Sequence, residues 1–426
     1  MRLIIRGGRV IDPASNTDDI KDVFIENGKI VQLIPQSKFQ DPQLEIIDAS
    51  GKWVVPGLID MHTHLREPGH EYKETIKTGT LAAAAGGFTT ICCMPNTTPP
   101  NDNQSVTNYI LKKAQEASYT CVYPIGAISK GLKGESLADF GELKEAGAIA
   151  VSDDGHPVMN SLLLRRALEY AKGFGLLVIS HCEDLYLAGK GVMNEGVTAT
   201  RFGLRGIPNA AEAVMVARDI SLAELTGARV HIAHVSTEES VCYVREAKKR
   251  GAPVTAETAP HYFSLTEEAV SGYDTNAKMN PPLRTEKDVA AVCRGLRDGT
   301  IDVIASDHAP HSSLEKEVDF DAAANGIVGL ETSLSLSLKL VKDGFLDPMT
   351  LIAKMSTNPA HILGLPIGQL RPGSPADLTI IDPEIPFFVD TRSFKSKSRN
   401  SPFHGWRLQG KAVLTIVEGR IVFEEI

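Results

Sequence analysis

The sequence predicts an α/β fold: a (β/α)8 barrel of the TIM type, carrying a small β-sandwich domain assembled from the N- and C-terminal segments. Three observations point there. In the middle of the chain, eight apolar β-type runs alternate with helix-type stretches. Both ends share an alternating strand texture that the middle lacks. No GxGxxG follows an early strand and no GxxxxGK[ST] occurs, so an open nucleotide-binding sheet has no support. The expected division is 1–55 and 367–426 for the composite β domain and 56–366 for the barrel.

The first segment reads as strands LIIRGGRVID, DVFIENGKIVQLI and LEIIDASGKWVV, with Asn27-Gly28 supplying a tight hairpin turn. The last segment gives DLTIIDPE and KAVLTIVEGRIVFEEI. VFIENGKIVQL and LTIVEGRIVFE follow one hairpin pattern, and chain ends often lie close together, so both belong to one domain. The barrel runs are GLIDMHTH, FTTICCMPN, TCVYPIGAIS, AIAVSDDG, LLVISHCED, ARVHIAHVS, PVTAETAPHYF and DVIASDHAPH. Between them lie ETIKTGTLAAAAGG, SVTNYILKKAQEA, SLLLRRALEYAKG, NAAEAVMVARDISLAELTG, TEESVCYVREAKKRG and EKDVAAVCRGLRDG. Strands that are apolar nearly throughout imply a parallel sheet covered by helices.

Composition narrows the function classes. Of 426 residues, 42% are hydrophobic and 23% charged, which excludes a disordered or fibrous chain. Lys+Arg number 44 against 53 Asp+Glu, net −9, with no basic run, so nucleic acid is not an expected partner. No apolar stretch approaches the roughly 20 residues that span a bilayer. The apolar run of MRLIIRGGRVIDP is too short for a signal peptide, and a cytoplasmic protein is expected. Six Cys show no CxxC spacing and read as reduced thiols.

In such a barrel, function sits where strands run out into the following loops. Six of the twelve His fall there: His62, His64, His181, His234, His308 and His311. His62 and His64 are two apart on a strand, so both imidazoles can face one metal. Asp153 and Asp154 end the fourth run and Asp307 the eighth. Imidazoles and carboxylates converging on one barrel mouth form a ligand set suited to Zn²⁺. A lone imidazole near a strand end is ordinarily hydrogen-bonded structure; His231, His261, His361 and His404, with His70 and His156, are read so.

The stretch Val55-Pro56-Gly57-Leu58-Ile59-Asp60-Met61-His62-Thr63-His64-Leu65-Arg66-Glu67-Pro68-Gly69 resembles the opening of the amidohydrolase superfamily. Its HLREPG ending resembles the type I dihydroorotases. The likeness continues through Met94-Pro95-Asn96-Thr97, SDDG, HCED, HVST, ETAPHYF, KMNPPLR, SDHAPH, NGIVGLET and NSPFHGWRLQGKA, over essentially the whole chain.

This resemblance implies one zinc held by His62, His64 and Asp307 and a second by His181 and His234. Asp154 bridges the two, with Asp153 as the fallback; one or two metals per subunit are open. It implies reversible hydrolysis of (S)-dihydroorotate to N-carbamoyl-L-aspartate in pyrimidine biosynthesis. Zinc lowers the pKa of bound water from ~15.7 towards ~7, and Asp307 acts as general base and then general acid. Arg66, Asn96 and His311 would hold the substrate carboxylate, with His64 beside them. Asn280 would meet the ring amide, and the backbone around Asn325 and Gly326 the opposite side. A homodimer and an aspartate transcarbamoylase partner are further implications. Two departures stand out: hydantoinases, allantoinases and other dihydroorotases carry a carboxylated Lys on strand four, where AIAVSDDG has none, and Asn325 stands where several relatives have Phe. The rival readings are a hydantoinase- or allantoinase-type enzyme and a dihydroorotase-like subunit that scaffolds aspartate transcarbamoylase.

Overall fold

The computed structural model describes residues 2–35 and 45–425. Leu44 and Ile426, which fall in strands expected above, lie outside the described residues. Eight parallel strands follow one another in chain order: β1 (Leu58–Thr63), β2 (Phe88–Cys93), β3 (Cys121–Gly126), β4 (Ala150–Ser152), β5 (Leu177–Ser180), β6 (Val230–Ile232), β7 (Val254–Thr258) and β8 (Val303–Ile304). The ring closes between first and last: Thr63 bridges His308 in parallel, His64 N donates to His308 O at 2.8 Å, and Ser306 N donates to the Asp60 carboxylate at 3.0 Å. All six residues of β1 and of β2 are buried, as a strand covered on both faces requires.

Alternation along the strands separates two apolar populations. Ile91, Cys93 and Val178 join the core beneath the helices. Cys92, Met94, Leu177 and Ile179 join a second cluster with Met61, Ile125 and Val303, which fills the barrel interior. The interposed helices start on side chains suited to the task. Asn103 accepts from Ser105 N and Val106 N ahead of helix Gln104–Ala117, and Asn160 accepts from Leu162 N and Leu163 N ahead of Ser161–Phe174.

The run PVTAETAPHYF divides: β7 stops at Thr258, and Pro260 takes the first position of a short helix, Pro260–Ser264. Two helices not singled out from sequence, Phe140–Ala146 and Leu330–Lys342, complete the layer. The Leu-Ser alternation of LETSLSLSLKL hides the helical period of the second, which is buried on most sides.

Two short strands, Met193–Asn194 and Gly206–Ile207, pair with each other in parallel, and the other eight form one mixed sheet: Arg2–Asp12, Thr17–Glu26, Lys29–Pro35, Glu45–Asp48 and Trp53–Pro56 from one end, Leu378–Phe388, Arg407–Val417 and Arg420–Glu424 from the other. Arg2–Asp12 pairs in parallel with Glu45–Asp48 and Trp53–Pro56, and the other pairings are antiparallel. Leu3, Ile5, Val23 and Ile25 share a core with Leu378, Ile380, Leu414 and Ile416. The two similar hairpins turn on Asn27-Gly28 and Glu418-Gly419, all four residues at positive φ. These turns pack on one another: a Cβ on Gly419 would come within 2.7 Å of Gly28 Cα, and Ala376 hydrogen-bonds both glycines. No helix among the described residues is long and apolar enough to cross a membrane.

Candidate metal centre and substrate cleft

A cavity of about 240 Å³ opens at the C-terminal end of the barrel. It is lined by every expected site residue except His62, namely His64, Arg66, Asn96, Asp154, His181, His234, Asn280, Asp307, His311, Asn325 and Gly326. His62 lies beneath, fully buried. Gly155, His156 and Ala309 also line it.

Asp154 is the hub. Its carboxylate lies 3.3 Å from His62 Nε2 and 3.4 Å from His64 Nε2 on one side. On the other it lies 3.6 Å from His181 Nδ1 and 3.5 Å from His234 Nε2. Two ligand-like groups result, His62–His64–Asp154 and Asp154–His181–His234, with Asp154 common to both. Asp307 Oδ1 adds a second carboxylate 3.3 Å from His64 Nε2 and 3.5 Å from His62 Nε2. Asp153 is turned away: its carboxylate accepts from Ile128 N at 2.7 Å, from Ser129 N at 3.0 Å, and from the Ser129 hydroxyl.

The residues present fit a cation. His62 Nε2 and Asp154 Oδ1 are buried and make no hydrogen bond, although a buried polar atom without a partner is costly. Both face the centre of the cluster, where a metal would satisfy them. The donor set of imidazole nitrogens and carboxylate oxygens is one that Zn²⁺ accepts. Burial alone would raise Asp307 and Asp154, but the histidines around them hold both below the ordinary carboxylate range. They therefore face the centre as anions.

Outer contacts orient these groups. Glu257 on β7 sits 2.6 Å from His62 Nδ1 and 3.2 Å from His231 Nε2. Burial would raise its pKa, yet the two histidines hold it down at about 2, so it is an anion that keeps the His62 proton on Nδ1 and leaves Nε2 as the ligand atom. Sequence reading missed Glu257; its signal was the one acid in the run PVTAETAPHYF. Glu183 lies 3.4 Å from His181 Nε2 and accepts from Asn280 Nδ2 at 3.1 Å, joining metal cluster to substrate cleft. Asn96 Oδ1 meets His64 Nδ1 at 2.8 Å.

Around the anion end of the cleft, Arg66 Nε donates to Pro310 O at 3.1 Å, and its Nη2 lies 3.3 Å from His311 Nε2. His311 Nε2 lies 2.8 Å from Asn325 O; that carbonyl can only accept, so Nε2 carries the proton. Burial and the neighbouring Arg66 push His311 down to about 2, which keeps it neutral. Asn325 contributes its backbone oxygen, while Gly326 has φ +117°, and a Cβ there would lie 2.6 Å from that of Ala309.

Of the other histidines, His308 is directed out of the cleft, accepting from Gly329 N at 3.1 Å on Nδ1 and lying 3.4 Å from Glu74 on Nε2. His231 serves Glu257 and Thr255. His261 is buried, and burial holds it neutral with a pKa of about 4.

A family model described as dihydro-orotase-like matches residues 51–240, and one described as amidohydrolase family matches residues 290–423. A dihydroorotase from Geobacter metallireducens is 59% identical over 424 residues, covering 100% of both chains. The chain belongs to the dihydroorotase family. A second dihydroorotase, from Syntrophus aciditrophicus, is 56% identical over 425 residues, again covering 100% of each. Among solved structures, an L-hydantoinase (dihydropyrimidinase) from Arthrobacter aurescens superposes with a TM-score of 0.90 at 27% identity, covering 99% of this chain and 96% of that one. A dihydropyrimidinase from Brevibacillus agri gives 0.87 at 26%, covering 100% and 95%. This dihydroorotase-family chain thus shares its fold over nearly its whole length with a hydantoinase and a dihydropyrimidinase. The family is metal-dependent, and the two clusters around Asp154 could hold its metal.

Proposed function

We propose that this chain opens (S)-dihydroorotate to N-carbamoyl-L-aspartate, reversibly, with zinc as its metal. The observation that carries the reading is one cavity whose floor is the carboxylate–imidazole cluster and whose wall holds Arg66 and His311. A cyclic ureide bearing a carboxylate needs both. His62, His64 and Asp307 would hold one ion, His181 and His234 another, with Asp154 between them. When bound, the metal supplies Lewis acidity that acidifies water and polarises the attacked carbonyl.

The protein's own groups do the rest. Arg66 is placed to take the substrate carboxylate through its fork of N–H donors, and Asn96 and His311 stand beside it. Asn280, turned by Glu183, presents its amide to the ring. Hydrolysis forms a C–O bond at the ring carbonyl, breaks the C–N bond, and moves one water proton to the departing nitrogen. Asp307 is the carboxylate positioned to take that proton from the water and deliver it to the nitrogen.

A hydantoinase-type activity is the second reading, favoured by the solved neighbours. Asp154 on the strand-four end, in place of a lysine, and Arg66 in the cleft both oppose it. The test is hydrolysis of dihydroorotate, hydantoin and allantoin by the zinc-loaded protein, with metal counted on the same sample. Opening of dihydroorotate alone, lost in Asp307→Asn with metal retained, is the expected result. Turnover of hydantoin or allantoin instead selects the second reading. No turnover with metal bound selects a subunit that works with aspartate transcarbamoylase.

A further inference from the structure

The C-terminal part of the chain does more than complete the small sheet. Between Phe388 and Arg407 it leaves that sheet and crosses to the barrel mouth. There it is tied down at several points. Glu331 accepts from Lys395 N at 2.8 Å and Ser396 N at 3.0 Å. Glu74 accepts from the Ser396 hydroxyl and from Lys397 N at 2.9 Å. Ser398 Oγ donates to Lys73 O at 2.7 Å.

The innermost tie differs from these. Asn400 is buried, and its side chain spends every bond on the loop after β8. Its Oδ1 accepts from His311 N at 3.0 Å; its Nδ2 donates to Ala309 O at 3.1 Å and to Gly326 O at 3.0 Å. Its own carbonyl accepts from Val328 N at 2.9 Å. Ala309, His311 and Gly326 all line the substrate cleft. An amide is the side-chain group suited to this place, because it offers an acceptor and two donors in one plane.

We propose that Asn400 is a positioning residue for substrate binding: it sets the spacing between His311 and Gly326 across the anion end of the cleft. The C-terminal segment therefore completes the site from outside the barrel. This rests on the reading of the cleft as a dihydroorotate site. Asn400 touches neither the metal cluster nor the attacked carbonyl, so its loss should weaken binding ahead of chemistry.

The test compares Asn400→Ala with Ser398→Ala in full-length, zinc-loaded protein, measuring KM and kcat for dihydroorotate, bound metal and melting temperature. Both substitutions loosen the same strap, but only the first touches the loop. Asn400→Ala should raise KM by about tenfold or more, by a larger factor than kcat falls, with metal content unchanged. Ser398→Ala should leave KM within about twofold. If Asn400→Ala does not fold, Asn400→Ser, which keeps a single short donor, carries the same comparison. An unchanged KM, an equal shift in Ser398→Ala, or loss of metal along with KM overturns the proposal. Absence of turnover in the unsubstituted enzyme overturns the functional reading, and this proposal with it.

Discussion

Replacing Arg66 by alanine should lower kcat/KM for dihydroorotate roughly 10²–10³-fold while leaving the metal in place. A guanidinium carries five N–H donors. In this structure Nε is committed to Pro310 O, whereas the Nη2 contact is to an imidazole nitrogen that already gives its proton to Asn325 O. The Nη groups are therefore open to an incoming carboxylate. Two charge-assisted bonds contribute about 1.5–3 kcal/mol each. Arg66 is only half-buried, which places the pair near the lower end, at about 3–4 kcal/mol. At about 1.4 kcal/mol per decade, that is the range stated.

Lysine at the same position supplies charge without the fork and should recover only part of the loss. The assay is steady-state kinetics with metal quantified on each sample. Unchanged kinetics in Arg66→Ala would remove the residue from the substrate site. A loss that tracks lost metal would show instead that Arg66 acts by holding the end of β1, where His64 sits two residues away.

Three further outcomes can be checked separately. Glu257→Gln removes the anion that fixes the His62 tautomer, so metal affinity should fall roughly 10–100-fold in a competition titration with a chelating dye; unaltered affinity would deny Glu257 that role. Gly326→Ala places a side chain at φ +117° and 2.6 Å from the Ala309 Cβ, and should cost on the order of 1–3 kcal/mol in denaturant unfolding together with dihydroorotate turnover; wild-type values for both would refute the packing argument. Burial raises Glu331 to about 7, so the fold favours its protonated form: that contribution is full below the ordinary carboxylate range and is lost as pH rises through about 7. The melting temperature of the native chain should accordingly fall relative to Glu331→Gln between about pH 5 and 8, and parallel curves would count against it.

What the sequence displayed, it displayed through local pattern. A parallel strand covered on both faces is nearly free of charge and largely apolar, so FTTICC or LLVIS is visible without any partner. The imidazoles and carboxylates at the strand ends stood out because polar ligands at the close of an apolar run are conspicuous. What stayed hidden was pairing at a distance. Asp153 and Asp154 are neighbours of identical type, and only the presence of Ile128 N and Ser129 N decides which one turns from the cleft. Glu257 acquires meaning from a residue 195 positions away, and Asn400 from His311, 89 positions away. The Leu-Ser alternation of the last barrel helix shows the opposite failure, a local pattern with the wrong period for the element that tertiary burial imposes.

Strain at the mouth joins fold to chemistry. Arg66, His234 and Asp307 are all non-glycine residues at positive φ, at +62°, +35° and +47°. They stand just beyond the ends of β1, β6 and β8, and each such conformation costs on the order of 1–2 kcal/mol. Extended backbone would continue each strand outward; the left-handed turn instead redirects the chain within one residue, at the level of the metal cluster. The barrel must oppose that cost. At the β1–β8 seam it does so through Asp60, whose buried carboxylate accepts from His62 N at 3.0 Å and from Ser306 N at 3.0 Å. One side chain thereby locks the strand that carries His62, His64 and Arg66 to the strand that carries Asp307. Asp60 precedes the HxH pair by two residues and passes for another polar group near the site. Its work is to hold two strained strand ends in register, so that the ligands they carry meet at one point.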